Sequence, residues 1–355
     1  MKITKLRTKG YYLLTCLIVA SLLSGQALGG KQQELKILIW SDYLDPEIVN
    51  EFEQKKNVDI KLNYFVSDDD RDDILQDNNA EGYDVVLVNG ANLHSYIKRG
   101  WLAKIPEEKI PNKVHIKNKF FDLFPESHNY AIPYFWGTLG IAYRSDLVDK
   151  PINSWKDLFQ PSTKMQGKIA MLGSSRDLVG MALKANGNSA NSESKKELKA
   201  AEQLIQQQAP YVKSYSYISL QENSGLVTGE IIAAMAFNGD ALALQEFNDN
   251  ISYVVPQEGG NLWVDYMAVL AHSTHKALAM QFIDFINTPE IAARQAEFVY
   301  YPTPHGGAEK LLTKEFLENP EIYPPHEILE KSESYGSISP RAMKKRHEIF
   351  SRVSR

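Results

Sequence analysis

A chain of 355 residues, 43% of them hydrophobic, is long enough to bury two separate cores, and 44 acidic against 39 basic residues give it a net charge of −5. That sign argues against a nucleic-acid or anionic-lipid partner and allows a cationic small ligand. The single cysteine, Cys16, lies in an apolar run near the amino terminus, so the chain beyond it has no disulfide and no thiol catalysis.

Residues 1–29 read as a secretory signal peptide. Lys2, Lys5, Arg7 and Lys9 form its basic start, Tyr11 to Leu23 its apolar run, and Ala27-Leu28-Gly29 a small-residue cleavage site. Thr15 before Cys16 is not the small residue of a lipoprotein site. Export to the periplasm without membrane insertion is expected, and loss of four basic residues leaves the mature chain at −9.

The first strand, predicted over 34–40, ends at Ile37-Leu38-Ile39-Trp40, and Asp45-Pro46-Glu47 reads as a capped helix start. Trp40, Ser41, Asp42 and Tyr43 therefore fill the loop at a strand's carboxyl end, where open α/β sheets bind ligands. Strands over 58–66 and 83–88 alternate with helices over 46–55, 68–78 and 92–99, which implies βαβ units and a parallel sheet. Ser67 with Asp70 resembles a capping box, and the acidic run Asp68 to Asp73 reads as a solvated helix start. Pro133, Gly137 and Gly140 break the rhythm within 132–148, which reads as a ribbon between lobes. A second series opens at 167–172, with strands over 230–237 and 251–256 and helices over 175–186, 195–208 and 239–247. The stretch 262–271 reads as a returning crossover strand; helices over 274–286 and 289–299, a Pro-rich loop over 300–307 and a charged helical tail follow.

Catalytic patterns are missing. His326-Glu327 lacks the second histidine of a zinc helix, and Gly173-Ser174-Ser175-Arg176 lacks the glycine after a nucleophilic serine. No phosphate-binding glycine motif occurs, and the acidic run has neither the glycine nor the terminal glutamate of a calcium loop. The expectation is a protein that is not an enzyme and carries no cofactor or metal.

Aromatic and acidic residues instead recur at strand ends: Arg176-Asp177, Phe237-Asn238-Gly239-Asp240, Trp263-Val264-Asp265 and Tyr300-Tyr301-Pro302. A strand's period of two puts Trp263 and Asp265 on one face. The series IWSDYL (39–44), YFWGTLGIAY (134–143), SWKDLF (154–159), SSRDLVGMAL (174–183), FNGDA (237–241), EGGNLWVD (258–265) and YYPTP (300–304) resembles the periplasmic spermidine/putrescine-binding proteins of polyamine ABC importers. The resemblance spans the mature chain; EGGNLWVD and YPTP at this separation are its specific elements.

It implies a two-lobed periplasmic binding protein fold, each lobe a mixed, mostly parallel sheet flanked by helices, hinged by crossover strands. The lobes would comprise 30–135 with 265–306, and 136–264 with 307–355. Ligand contacts fall on Trp40, Ser41, Asp42, Tyr43, Asn89, Asp177, Phe237 (tryptophan in relatives), Trp263, Asp265 and Tyr301. Asp265 would grip the central amine. Asn89-Gly90-Ala91 replaces a Ser-Thr-Tyr series, Ser174 replaces an acid and Tyr335 a glutamine, which alters the ends of the site. The implied partners are a polyamine and an inner-membrane ABC permease, with a monomeric protein closing on its ligand. The alternative is a sensor reporting polyamine to a membrane signalling receptor.

Overall fold

The computed structural model describes residues 33–354. The signal-peptide reading of 1–29 lies outside the described residues.

Nine strands form one continuous mixed sheet: β1 Gln33–Trp40, β2 Val58–Phe65, β3 Val85–Asn89, β4 Ala131–Arg144, β5 Ile169–Met171, β6 Val212–Tyr215, β7 Ala233–Phe237, β8 Ile251–Val254 and β9 Leu262–Val269. Their order is β2-β1-β3-β9-β4-β7-β5-β6, with β8 also on β4. Pairing is parallel in the outer strands (β1 with β2 and β3, β5 with β6 and β7) and antiparallel wherever β9 or β4 takes part. The 14-residue β4 belongs to both halves: Ala131–Thr138 pairs β9, and Leu139–Arg144 pairs β7 and β8. Both lobes thus share one strand, buried along its whole length.

Hydrophobic patterning explains the two halves. β3 up to Val88 and the second half of β1, Ile37–Trp40, are continuously apolar, as parallel strands covered on both faces must be, whereas β1 opens on the polar Gln33, Glu34 and Lys36. They build the first core with Phe52, Phe121, Phe282 and Ile283. Trp155, Phe159, Leu178 and Ile205 close one face of the second sheet, and Leu226, Leu244 and Tyr253 the other. Local signals act as the sequence suggests. Asp45 Oδ1 accepts from Glu47 N at 2.8 Å with Pro46 opening the helix, and Ser67 Oγ accepts from Asp70 N at 3.0 Å. The Asp70 carboxylate reaches one residue past the cap, taking the Val66 amide at 2.9 Å.

Three features differ from expectation. β6 goes unpredicted because Val212–Tyr215 is only half-buried and has no apolar run. The acidic run is not simply solvated: Arg71 within it is buried, donating to Asp68 at 2.6 Å and to Tyr96 at 2.8 Å. The segment after 306, expected in the second lobe, is divided. Ala308, Leu312, Phe316 and Ile322 pack into the first core, whereas Tyr335 and Ile349 pack into the second. Among the described residues no helix is long and apolar enough to cross a membrane.

Candidate functional site

The carboxyl ends of β1 and β3, the middle of β9 and the end of β7 meet where the two halves join. Asp265 lies on β9 directly opposite Asn89 on β3 and is 8% exposed. Among the described residues its carboxylate makes no ion pair and no hydrogen bond. Burial pushes it up to about 7, the Asp68 carboxylate adds to the rise, and Arg71 and the Tyr43 hydroxyl oppose it. That hydroxyl is near enough to act on Asp265 yet outside hydrogen-bonding geometry, and it is buried without a partner.

A run of aromatic rings adjoins this acid. Tyr43 meets Tyr301 edge-on at 5.7 Å, Tyr301 meets Trp263 at 4.9 Å, Trp263 meets Phe237 at 6.0 Å, and Phe237 lies 6.5 Å from Tyr217. The run therefore leads from the β1 loop of the first half to the end of β7 in the second. Two glycines make it possible. A Cβ on Gly137 would sit 2.4 Å from the Trp263 ring, and one on Gly239 2.5 Å from the Tyr301 ring. The Tyr43 carbonyl accepts from Tyr134 at 3.0 Å, which fixes the loop. The Trp263 indole N–H is buried without an acceptor, its donor unused.

A second buried acid, Asp240, lies in the first turn of the helix Asn238–Gln245. Tyr217 donates to it at 2.5 Å and Tyr301 at 3.2 Å; burial nevertheless raises it to about 6. The sequence shows Asp240 beside Phe237, but an acid in a helix's first turn is also what the helix dipole favours. Tyr217 had no local signal.

The remaining expected residues are placed unevenly. Trp40 packs on Phe65 with ring centres 4.3 Å apart. Ser41 donates to Asp42 at 3.0 Å on the exposed loop, where Asp42 takes a left-handed conformation with φ 56°. The structure does not bring Ser41 and Asp42 into the ring set. Asn89 caps the helix Gly90–Lys98 through its Oδ1, and its Nδ2 donates to Asp68 at 2.5 Å. Asp177, in the first turn of Ser175–Ala185, accepts from the Tyr335 hydroxyl at 2.8 Å. Burial raises the Asp177 carboxyl, opposed by Ser174, Tyr335 and Arg176. No group of three or more histidine, cysteine or acidic side chains suited to a metal occurs among the described residues.

A shared-strand, two-lobed α/β frame with aromatic rings and buried acids gathered where its halves join is the architecture of a solute-binding protein. Residues 47–324 match the family described as "Bacterial extracellular solute-binding protein", and the chain belongs to that family. It is 29% identical over 304 residues to the spermidine/putrescine-binding periplasmic protein of Escherichia coli, covering 84% of this chain and 85% of that one. It is 27% identical over 323 residues to the norspermidine sensor of Vibrio cholerae, covering 90% and 89% of the two. Among solved structures, the spermidine/putrescine ABC-transporter substrate-binding protein of Streptococcus pneumoniae superposes with a TM-score of 0.79 at 27% identity, over 91% of this chain and 98% of that one.

Proposed function

We propose that the chain is a periplasmic polyamine-binding protein that closes on its ligand and delivers it to an ABC importer. One observation carries this reading: a carboxylate, Asp265, is buried beside a run of aromatic rings and makes no ion pair among the described residues, with Arg71 and the Tyr43 hydroxyl only partly offsetting its burial. Such a group is costly unless a ligand pairs with it. An ammonium on a methylene chain meets both demands. Aromatic faces cover the methylenes and attract the cation at roughly 0.5–2 kcal/mol per contact. A charge-assisted hydrogen bond to Asp265 contributes on the order of 1.5–3 kcal/mol. Trp263, Tyr301, Tyr43 and Phe237 serve as walls in this reading, and Asp265 as the amine grip. The polyamine-binding relatives named above support it.

The chain's task is read as binding, in keeping with the solute-binding family to which it belongs. Titrating the mature protein calorimetrically with polyamines, amino acids and sugars tests the ligand class. Saturable binding restricted to polyamines is expected; binding restricted to sugars or amino acids would reject the reading. The norspermidine sensor among the relatives favours one alternative, a polyamine sensor acting through an inner-membrane receptor. Co-purification of the ligand-loaded protein with a permease, as against a signalling receptor, separates the two.

A further inference from the structure

Among the described residues, Tyr300 is the one bulky side chain on a left-handed backbone. Its φ is 57° and its ψ 24°, at the end of the helix Pro289–Val299. The other non-glycine residues with positive φ are Asp42, Asn57, Asn79 and Ala80, all short, and aspartate and asparagine tolerate this region. Glycine is the usual residue at such a helix end, so a tyrosine there needs a contact to hold it.

The Tyr300 ring packs against the first core, and its hydroxyl crosses to the second lobe, donating to Glu246 Oε1 at 2.5 Å. That bond, more than partial burial, raises the hydroxyl to about 12, so it remains a donor at pH 8. Glu246 caps the carboxyl end of the helix Asn238–Gln245, where the helix dipole disfavours an acid, so no local preference accounts for it. The same helix straddles the lobes: Leu242 is buried in the first core, and Ala241 and Leu244 in the second lobe's. Tyr301, the next residue, meets the opposite end of this helix. Its hydroxyl donates to Asp240 at 3.2 Å and its ring lies against Gly239. Two consecutive tyrosines of the first lobe thus hold one second-lobe helix at both ends.

We propose that Tyr300 and Glu246 are positioning residues for Tyr301: their hydrogen bond across the lobes holds the left-handed turn, and the turn sets the Tyr301 ring between Tyr43 and Trp263. The assignment rests on the polyamine reading, which takes Tyr301 as a ligand wall. A bulky L-residue leaves the left-handed region unless something retains it. Rotation of the backbone at 300 redirects the side chain that follows, and the run from Tyr43 through Tyr301 to Trp263 breaks at its middle. Tyr300→Phe keeps the packed ring but loses the bond. Tyr300→Gly loses both, yet takes the turn at no steric cost. The two substitutions therefore separate the turn from the packing.

The test titrates Tyr300→Phe, Glu246→Ala, their double variant and Tyr300→Gly calorimetrically with spermidine at pH 8, and melts each without ligand. Tyr300→Phe and Glu246→Ala are each expected to bind about threefold or more weakly, and the double variant no more weakly than either, because all three remove one bond. Tyr300→Gly is expected to recover most of the affinity lost in Tyr300→Phe, although its melting temperature falls furthest. A role in packing alone predicts the reverse, with Tyr300→Gly the weaker binder. Crystal structures of the ligand-free Phe and Gly variants read the same point without spermidine: the Tyr301–Asp240 bond should be lost in Tyr300→Phe and kept in Tyr300→Gly. Full affinity in Tyr300→Phe or in Glu246→Ala, no recovery in Tyr300→Gly, or Tyr301 unmoved in Tyr300→Phe would each overturn the proposal. If the unaltered protein binds no spermidine while Tyr301 moves as expected, the polyamine reading fails and the positioning role stands. If spermidine binds all variants equally, only the positioning role fails.

Discussion

In the proposed function, Asp265 would couple binding to proton balance. Its carboxyl is raised to about 7 in the ligand-free protein, against about 3.9 for an unfolded aspartate. Between those values the native chain holds a proton that the unfolded chain has lost, so stability falls as pH rises through the window. Asp240, raised to about 6, acts in the same direction. Asp265→Asn should therefore raise the melting temperature of the ligand-free protein at pH 8 while weakening spermidine about tenfold or more. Scanning calorimetry and titration check the two halves; a lower melting temperature or unchanged affinity contradicts the assignment. Binding an ammonium favours the ionised acid, so affinity should fall from pH 8 to pH 6 with a proton released on binding. Binding heats compared in buffers of different ionisation enthalpy detect that proton, and affinity that stays flat across this range would remove Asp265 as the amine's partner. The Trp263-Val264-Asp265 spacing made this residue legible, because a strand's period of two needs no tertiary knowledge. Arg71 was not legible: its burial depends on Phe65 and Tyr96, brought to it only by the fold.

At the scale of elements, the glycines decide how the rings meet. Gly239 lies in the helix Asn238–Gln245, where alanine is intrinsically preferred by about 0.8–1 kcal/mol. Its added Cβ would nonetheless stand 2.5 Å from the Tyr301 ring, which must then move away from Asp240. Gly239→Ala is expected to weaken spermidine binding several-fold without lowering the melting temperature much; titration and a melt together check this. Undiminished affinity would show that Tyr301 does not contact the ligand. The alternating strands and helices of the first half were readable because the apolar runs Ile37–Trp40 and Val85–Val88 are flanked by capped helices. The tail was not, since its short helices Lys314–Glu318 and His326–Lys331 bury few side chains and take their places from the cores they meet.

For the whole molecule, β4 and β9 cross between the lobes while the aromatic run and the carboxylates draw on both. A ligand bridging them binds the closed form better, and only that difference can drive closure. Small-angle scattering should show a more compact protein with saturating spermidine; superimposable profiles would reject closure. The division into two lobes was visible in the broken rhythm at Pro133, Gly137 and Gly140. The sharing of residues after 306 was not, because the segment passes from the first core (Ala308 to Ile322) to the second (Tyr335, Ile349), both built largely from residues far away in sequence. The most direct test is a crystal structure of the mature chain with spermidine. One amine nitrogen is expected within about 3 Å of the Asp265 carboxylate, with the methylenes along Trp263 and Tyr301. A ligand seated on one lobe alone, or with Asp265 unpaired, would contradict polyamine binding between the lobes.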